Sequence, residues 1–244
     1  MLRCLMLFIF FLGFFISSLI LLPVTWIVGK INPLKADHLS LHIVQGFLMM
    51  VGVFAGMNLT VKGIENIPEG EPALYVGNHR SFFDIVAIYP LMPDLTSFVA
   101  KQSLLKVPFI GAWLRRVKGL GLNRDNNREA LKTILKGIDY LKADTSVVIF
   151  PEGTRCKEPE GNLLPFKEGS FKLAEKSKRK IVPVAITGTS KLFEDHFPLV
   201  YSSDVIVEFL PPIDTAAMSR EDMKGIGERV ERQIREAIRE NIAS

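Results

Sequence analysis

The sequence predicts an α/β domain preceded by an apolar two-helix segment, and three observations carry that prediction. Residues 4–29 and 39–61 contain no Asp, Glu, Lys or Arg. Beyond them, short apolar runs alternate with stretches of helical periodicity, the pattern of a single α/β unit. Two of those runs end in dense polar clusters, and open α/β sheets collect their chemistry just past the carboxyl ends of strands. A chain of 244 residues, 48% of them hydrophobic, has room for one such domain and an appendage.

Each uncharged segment exceeds the roughly 20 residues needed to cross a bilayer. The stretch from Lys30 to Asp37 is polar enough to turn between them. Residues 1–57 therefore read as a membrane-anchoring helical hairpin, and 58–244 as the α/β domain. Arg3 and the first apolar run fit a signal peptide, but no small-x-small cleavage site follows and the second segment is left unexplained. Gly13 with Ser17, and Gly52 with Gly56, have the small-xxx-small spacing that lets helices approach closely. Deleting the hairpin is expected to leave a domain that folds, with its core supplied downstream.

Strands are expected at Asn58–Lys62, Ala73–Val76, Thr96–Ala100, Gly119–Leu122, Ser146–Phe150, Ile181–Thr187 and Asp204–Leu210, in a central, mostly parallel mixed sheet. Between them, Glu129–Lys142 puts Leu131, Ile134, Leu135, Ile138 and Leu141 on one helical face, read as core packing. Ser219 and Asp222 cap a closing helix whose stripe is Met223, Ile226, Val230, Ile234 and Ile238.

The net charge of +4 is unevenly spread. From Leu95 to Arg124 there are basic residues only: Lys101, Lys106, Arg115, Arg116, Lys118 and Arg124. Such a block is either a solvated face or a surface for anionic lipid headgroups. Nucleic acid is a poor partner, because the chain carries no nucleic-acid module and its apolar segments point to a membrane bilayer instead.

The most informative stretch is Asn78-His79-Arg80-Ser81-Phe82-Phe83-Asp84, at the end of the apolar run Ala73–Val76. One reading makes His79 a general base and Asp84 the carboxylate that orients it. The other makes Ser81 and Asp84 a helix cap with His79 packed nearby. A second cluster, Pro151-Glu152-Gly153-Thr154-Arg155, follows the apolar run Ser146–Phe150.

Together these segments resemble the glycerolipid acyltransferase family, and within it the lysophosphatidic acid acyltransferases. The family pattern is N-H-x-S-x-x-D, an intermediate arginine block, F-P-E-G-T-R-S and a later V-P-V block. All have counterparts here in that order, the last as Ile181-Val182-Pro183-Val184. Cys156 replaces the usual Ser, and the arginine block reads Lys118-Gly119-Leu120-Gly121-Leu122-Asn123-Arg124, with Lys118 for the leading Gly and Asn123 for the acid.

The resemblance implies transfer of an acyl chain from an acyl carrier protein or coenzyme A thioester to the sn-2 hydroxyl of lysophosphatidic acid, giving phosphatidic acid. Other implied acceptors are glycerol 3-phosphate and a lyso-aminolipid. A non-catalytic lipid binder of the same fold is the remaining alternative. The implied setting is phospholipid biosynthesis at the cytoplasmic face of a membrane, the inner one if the source is bacterial. His79 and Asp84 would be catalytic. Arg124, Arg155 and Lys101 would serve the phosphate, with Lys101 and the N–H groups near Gly153 and Thr154 as oxyanion donors. Glu152 would accept from the glycerol or fix an arginine.

Neither a resident cofactor nor a metal is called for by this reading. The chain has no G-x-S-x-G elbow and no phosphate loop of the G-x-x-x-x-G-K type. Cys4 and Cys156 make no disulfide framework or zinc cluster, and His38 with His42 lack an acidic partner on their helix.

Overall fold

The structure is a computed structural model that describes residues 1–219 and 221–243. Two long helices come first, α1 (Leu2–Ile31) and α2 (Pro33–Ala55), both long and apolar enough to cross a membrane. The turn between them is shorter than the polar stretch from Lys30 to Asp37 suggests. Only Asn32 leaves the helical conformation, and its side chain accepts the Lys35 N–H at 3.0 Å. Pro33 begins α2, where its missing N–H is no loss.

The small-residue spacings do not join the helices. Gly13 faces open space, and Gly56 is the left-handed cap of α2 (φ 78°), set against the Arg3 guanidinium. Phenylalanines hold the hairpin instead: Phe14 stacks on Phe47 with centroids 3.9 Å apart, and Phe10 on Phe47 at 5.4 Å.

Each expected strand is present. They are β1 (Met57–Lys62), β2 (Leu74–Gly77), β3 (Thr96–Lys101), β4 (Leu120–Leu122), β5 (Ser146–Ile149), β6 (Ile181–Thr187) and β7 (Ser203–Phe209). They form one sheet in the order β1-β7-β6-β2-β5-β3-β4. Among the described strands the only antiparallel pair is β6 with β7. The carboxyl ends of β2 to β6 consequently share one edge with the starts of β1 and β7. The central strands β2, β5 and β6 are buried throughout, as a sheet covered on both faces requires.

The remaining helices are α3 (Phe83–Ile88), α4 (Ile110–Arg116), α5 (Asn127–Lys142), α6 (Lys172–Ser177) and α7 (Ile226–Ala243). The stripe of α7 is buried as expected, but Ser219 and Asp222 close a turn ahead of it rather than its first turn. In α5 the contact face is rotated from the apolar stripe. Ile138 and Leu141 are buried while Leu131 and Leu135 are exposed. Gly137 is the reason: its bare Cα lets Leu173 and Leu120 close against that side of the helix.

One apolar cluster joins α5, α6 and α7 to the sheet. The clusters on the other face are shared with the hairpin. Leu7, Val51 and Ala55 pack with Val86, Ile186 and Val207, while Leu41 and Val44 pack with Tyr89, Trp113 and Val117. Polar ties run along the same seam. Trp113 Nε1–H donates to Ser18 Oγ at 2.9 Å, and Lys118 pairs with Asp37 at 2.9 Å. The core is thus not supplied wholly downstream of the hairpin.

A protein lacking residues 1–55 is therefore expected to lose native near-UV circular dichroism and to bind a hydrophobic dye. Burial of each large side chain in those clusters is worth about 1.5–3 kcal/mol. A monodisperse truncated protein with native spectra would show that the α/β part carries its own core.

Candidate active site

Four polar segments leave the common strand edge. After β2, the Asn78 side-chain amide takes the place of a backbone rung. It donates to Ile186 O and accepts from Ile186 N–H, both at 2.8 Å. This carries the chain across to β6 at the point where it turns away from the sheet. Gly77 has no side chain because the Phe150 ring fills that space. The ring also stacks on His79, centroids 4.7 Å apart and nearly parallel at 13°.

His79 is fixed at three points. Its N–H donates to Glu152 Oε1 at 2.6 Å, its carbonyl accepts the Cys156 N–H at 2.7 Å, and Nδ1 lies 2.8 Å from Asp84 Oδ2. Asp84 is fully buried. Its Oδ2 also accepts the N–H groups of Arg80 (2.7 Å) and Ser81 (2.9 Å), and its Oδ1 accepts the Thr189 hydroxyl at 2.6 Å. Four donors on its two oxygens leave the carboxylate acting only as an acceptor. It leaves His79 Nδ1 only the donor role, so the Nε2 lone pair is free to take a proton. Capping and orienting are not alternatives here, since the oxygen that accepts the Ser81 N–H is the one that faces His79.

Glu152 sits elsewhere than a substrate contact. It is 3% exposed, and its oxygens accept the backbone N–H groups of His79 and Leu164, the latter at 2.8 Å. Burial raises its pKa, against the pull of those two N–H donors. Its work is to tie the loop after β5 to the backbone of His79. Gly153 is buried at φ 72° and spends its N–H on Phe150 O at 3.0 Å, so it closes a turn and has no donor left for an oxyanion. Thr154 is exposed beside it.

Arg155 reaches the catalytic loop. Its guanidinium lies 4.0 Å from the Phe82 ring centroid and pairs with Glu194 at 2.8 Å. Glu194 also accepts from the Ser81 hydroxyl and from Phe82 N–H. With Arg80 and Ser190 these residues line a cleft of about 460 Å³ whose rim carries Phe82 and Phe197. Arg80 is buried, and its guanidinium donates to the carbonyls of Glu158 and Asn162.

Lys101 and Arg124 are not brought to this cleft. They end β3 and follow β4, on the far side of β5 from His79. At about 4.8 Å per strand, Arg124 starts roughly 14 Å from the β2 end. Both are exposed and make no ion pair among the described residues. The rest of the basic block divides. Arg115 donates to Leu105 O and Arg116 to Leu22 O, which fixes them without balancing their charge, and only Lys118 is paired with a carboxylate, Asp37, among the described residues.

Sequence reasoning missed Thr189 and Glu194. Thr189 stands two residues past β6, a strand end of the kind that supplies site residues, and that position was its only signal. Glu194 lies in a loop with no motif. Cys156 is buried, with its sulfur 3.5 Å from Asn162 O.

Glu152→Gln is expected to lower stability by about 1–3 kcal/mol, because the amide offers an N–H to one of two buried N–H donors. Thermal unfolding measured beside wild type checks this. Unchanged stability would show that the carboxylate does not hold the loop.

Residues 58–187 match the profile of a family described as Acyltransferase. The chain is 32% identical over 207 residues to a 1-acyl-sn-glycerol-3-phosphate acyltransferase of Saccharomyces cerevisiae, covering 84% of this chain and 68% of that protein. It is 27% identical over 204 residues to the human 1-acyl-sn-glycerol-3-phosphate acyltransferase alpha, covering 82% and 71%. Among solved structures, the 1-acyl-sn-glycerophosphate acyltransferase PlsC of Thermotoga maritima superposes with a TM-score of 0.79 at 25% identity, over 99% of this chain and 98% of that one. With its own histidine and carboxylate joined at the strand edge, this chain belongs to the acyltransferase family.

Proposed function

We propose that this chain is a membrane-associated 1-acyl-sn-glycerol-3-phosphate acyltransferase, which forms phosphatidic acid from lysophosphatidic acid and an acyl thioester. The observation that carries the reading is the free Nε2 of His79, set by a buried and fully bonded Asp84. The acceptor hydroxyl gives its proton to Nε2 as its oxygen attacks the thioester carbonyl carbon. The tetrahedral intermediate collapses with loss of the C–S bond, and the imidazolium returns the proton to the departing sulfur. Asp84 offsets the charge on the imidazolium throughout. The acyl group passes directly to the acceptor, since Ser81 Oγ is committed to Glu194 and Cys156 is buried.

Arg155 is the phosphate ligand best supported by position, because it borders the cleft beside Phe82. Lys101 and Arg124 approach from the opposite side of His79 and suit a second phosphate-bearing group or the same headgroup reached by long side chains. Thr154 N–H, which has no acceptor among the described residues, is the oxyanion donor offered by the loop after β5. The acyl donor is a carrier-protein or coenzyme A thioester, and the catalytic domain faces the cytoplasm, where such donors are made.

The hairpin lies along the domain instead of projecting from it. Contacts at Ser18, Leu22 and Asp37 tie it lengthwise to Trp113, Arg116 and Lys118. A spanning hairpin would draw those two cations into hydrocarbon at a cost of about 2.5–3.5 kcal/mol each. Insertion of the outer face of α1 into one leaflet leaves them in water. That face is a continuous apolar stripe of Leu2, Leu5, Ile9, Leu12, Ile16 and Leu19, all exposed.

The direct test is purified protein in detergent with labelled acyl thioester and a panel of acceptors. Lysophosphatidic acid should be converted to phosphatidic acid. Product only from glycerol 3-phosphate or a lyso-aminolipid would overturn the acceptor assignment. His79→Ala should lower turnover about 10²–10⁴-fold with the fold intact. Near-wild-type turnover in that variant would remove His79 as the base.

Arg155→Ala should raise the KM for lysophosphatidic acid more than it lowers kcat, and do less to the KM for the thioester. Equal effects on an acceptor without phosphate would show that Arg155 reads something else. Cys156→Ser should be nearly neutral, and mass spectrometry after incubation with donor alone should find no adduct. A stoichiometric acyl group on Cys156 would replace direct attack by a two-step route.

A further inference from the structure

Outside the two N-terminal helices, the most exposed large apolar side chain among the described residues is Phe197, at 75%. The next is Phe82, at 57%. Both line a cleft that also borders Arg155, although they are far apart in sequence. Two such side chains left in water at the mouth of a polar cleft are costly unless something covers them.

Phe197 is held outward by an ordered loop. It meets Phe193 edge-on at 5.4 Å, and Tyr201, itself 49% exposed, packs on His196 at 4.6 Å. The Tyr201 N–H donates to Leu192 O at 3.0 Å. Phe193 and Val200 root the loop in the apolar cluster that also contains Leu7, Val51 and Ala55 of the hairpin. The nearby carboxylates are engaged: Glu194 with Arg155, Asp195 with Ser190 Oγ at 3.0 Å, and Asp204 with Asn58 at 3.0 Å.

We propose that the loop 193–201, through Phe197 and Tyr201, is a second membrane-contacting surface that seats the mouth of the cleft on the bilayer. Continuity with the hairpin identifies the occupant. The loop leads into Ser203, whose N–H donates to Gly56 O at 3.2 Å, the cap of α2. Gly56 in turn abuts Arg3, in the first turn of α1, where Leu2, Leu5, Phe8 and Ile9 are exposed. The loop and the apolar start of α1 therefore occupy the same edge of the molecule, the edge that bears His79. An interfacial helix and an aromatic loop at one edge fix both the depth and the tilt of the domain on a bilayer, which a single helix does not. A lipid acceptor then reaches His79 without leaving the interface. This consequence rests on the proposed lipid acceptor; the contact itself does not.

The test uses the full chain and vesicles of phosphatidylcholine with phosphatidylglycerol, with or without brominated acyl chains. Phe197→Trp adds one indole to the emission of Trp26 and Trp113. The added emission, taken as the difference from the parent protein, should be quenched by the brominated vesicles. No quenching from protein that floats with the vesicles overturns the proposal.

The double variant Phe197→Ser, Tyr201→Ser should need about tenfold more vesicle lipid for half-maximal activity, the loss of roughly one half-buried aromatic pair. The single variant Tyr201→Ser, whose side chain lies outside the cleft lining, should need several-fold more vesicle lipid while its rate on 1-hexanoyl-glycerol 3-phosphate, kept monomeric in solution, stays unchanged. Equal loss on both acceptors would make the loop part of the substrate cleft and overturn the membrane contact. So would a change in oligomeric state by light scattering, which would make the occupant a second copy. If no acceptor is turned over at all, the proposed activity fails, and the quenching result still decides this one.

Discussion

Everything at this site depends on one buried carboxylate. Asp84 has no contact with solvent, and its two oxygens collect donors from Arg80, Ser81, Thr189 and His79. A carboxylate taken from water into a protein interior is costly unless hydrogen bonds replace its hydration. Here the replacement is made by the backbone that leads into α3, by a hydroxyl at the end of β6, and by the imidazole. The same bonds that make the burial tolerable fix the imidazole tautomer. Catalytic readiness and local stability are consequently one arrangement.

The loops around that carboxylate are tied to each other more than to the sheet. Glu152 joins the turn after β5 to His79, Cys156 N–H holds the His79 carbonyl, and Glu194 joins the loop after β6 to Ser81, Phe82 and Arg155. Two of these ties are carboxylates that a motif scan reads as substrate ligands or passes over. Glu194 also balances the charge of Arg155 in the cleft, the guanidinium for which the proposed acceptor phosphate would compete. Arg155 lies over the Phe82 ring and beside the Glu194 carboxylate, so the group proposed to read the phosphate is preorganised without being buried.

The hairpin is structural as well as apolar. Its inner face completes two of the apolar clusters, while its outer face keeps a row of exposed leucines and isoleucines. A helix that is apolar all round needs two partners, and here one is the α/β domain and the proposed other a membrane. The division explains why the boundary near residue 57 is clear in composition yet crossed by Trp113, Arg116 and Lys118. Composition records which residues avoid water, not which of two apolar neighbours they meet.

The strands, the long uncharged helices and the positions of His79 and Asp84 were legible because each rests on short-range pattern. Alternating apolar runs, uninterrupted apolar length and a histidine separated from a carboxylate by four residues are local quantities. Reading failed where a residue's partner lies far along the chain. Leu131 and Leu135 looked like core, but Gly137 turned α5 toward Leu173. Glu152 looked like a substrate ligand, but its partners are backbone N–H groups that only the loop path brings near. Arg124 and Arg155 looked alike, and strand order put one beside Phe82 and the other past β5 and β3. The sequence alone determined the elements and the chemistry available to the chain, because propensity and side-chain type are properties of neighbours. Which groups meet was decided by the tertiary structure, because strand order and helix rotation follow from packing the whole core at once.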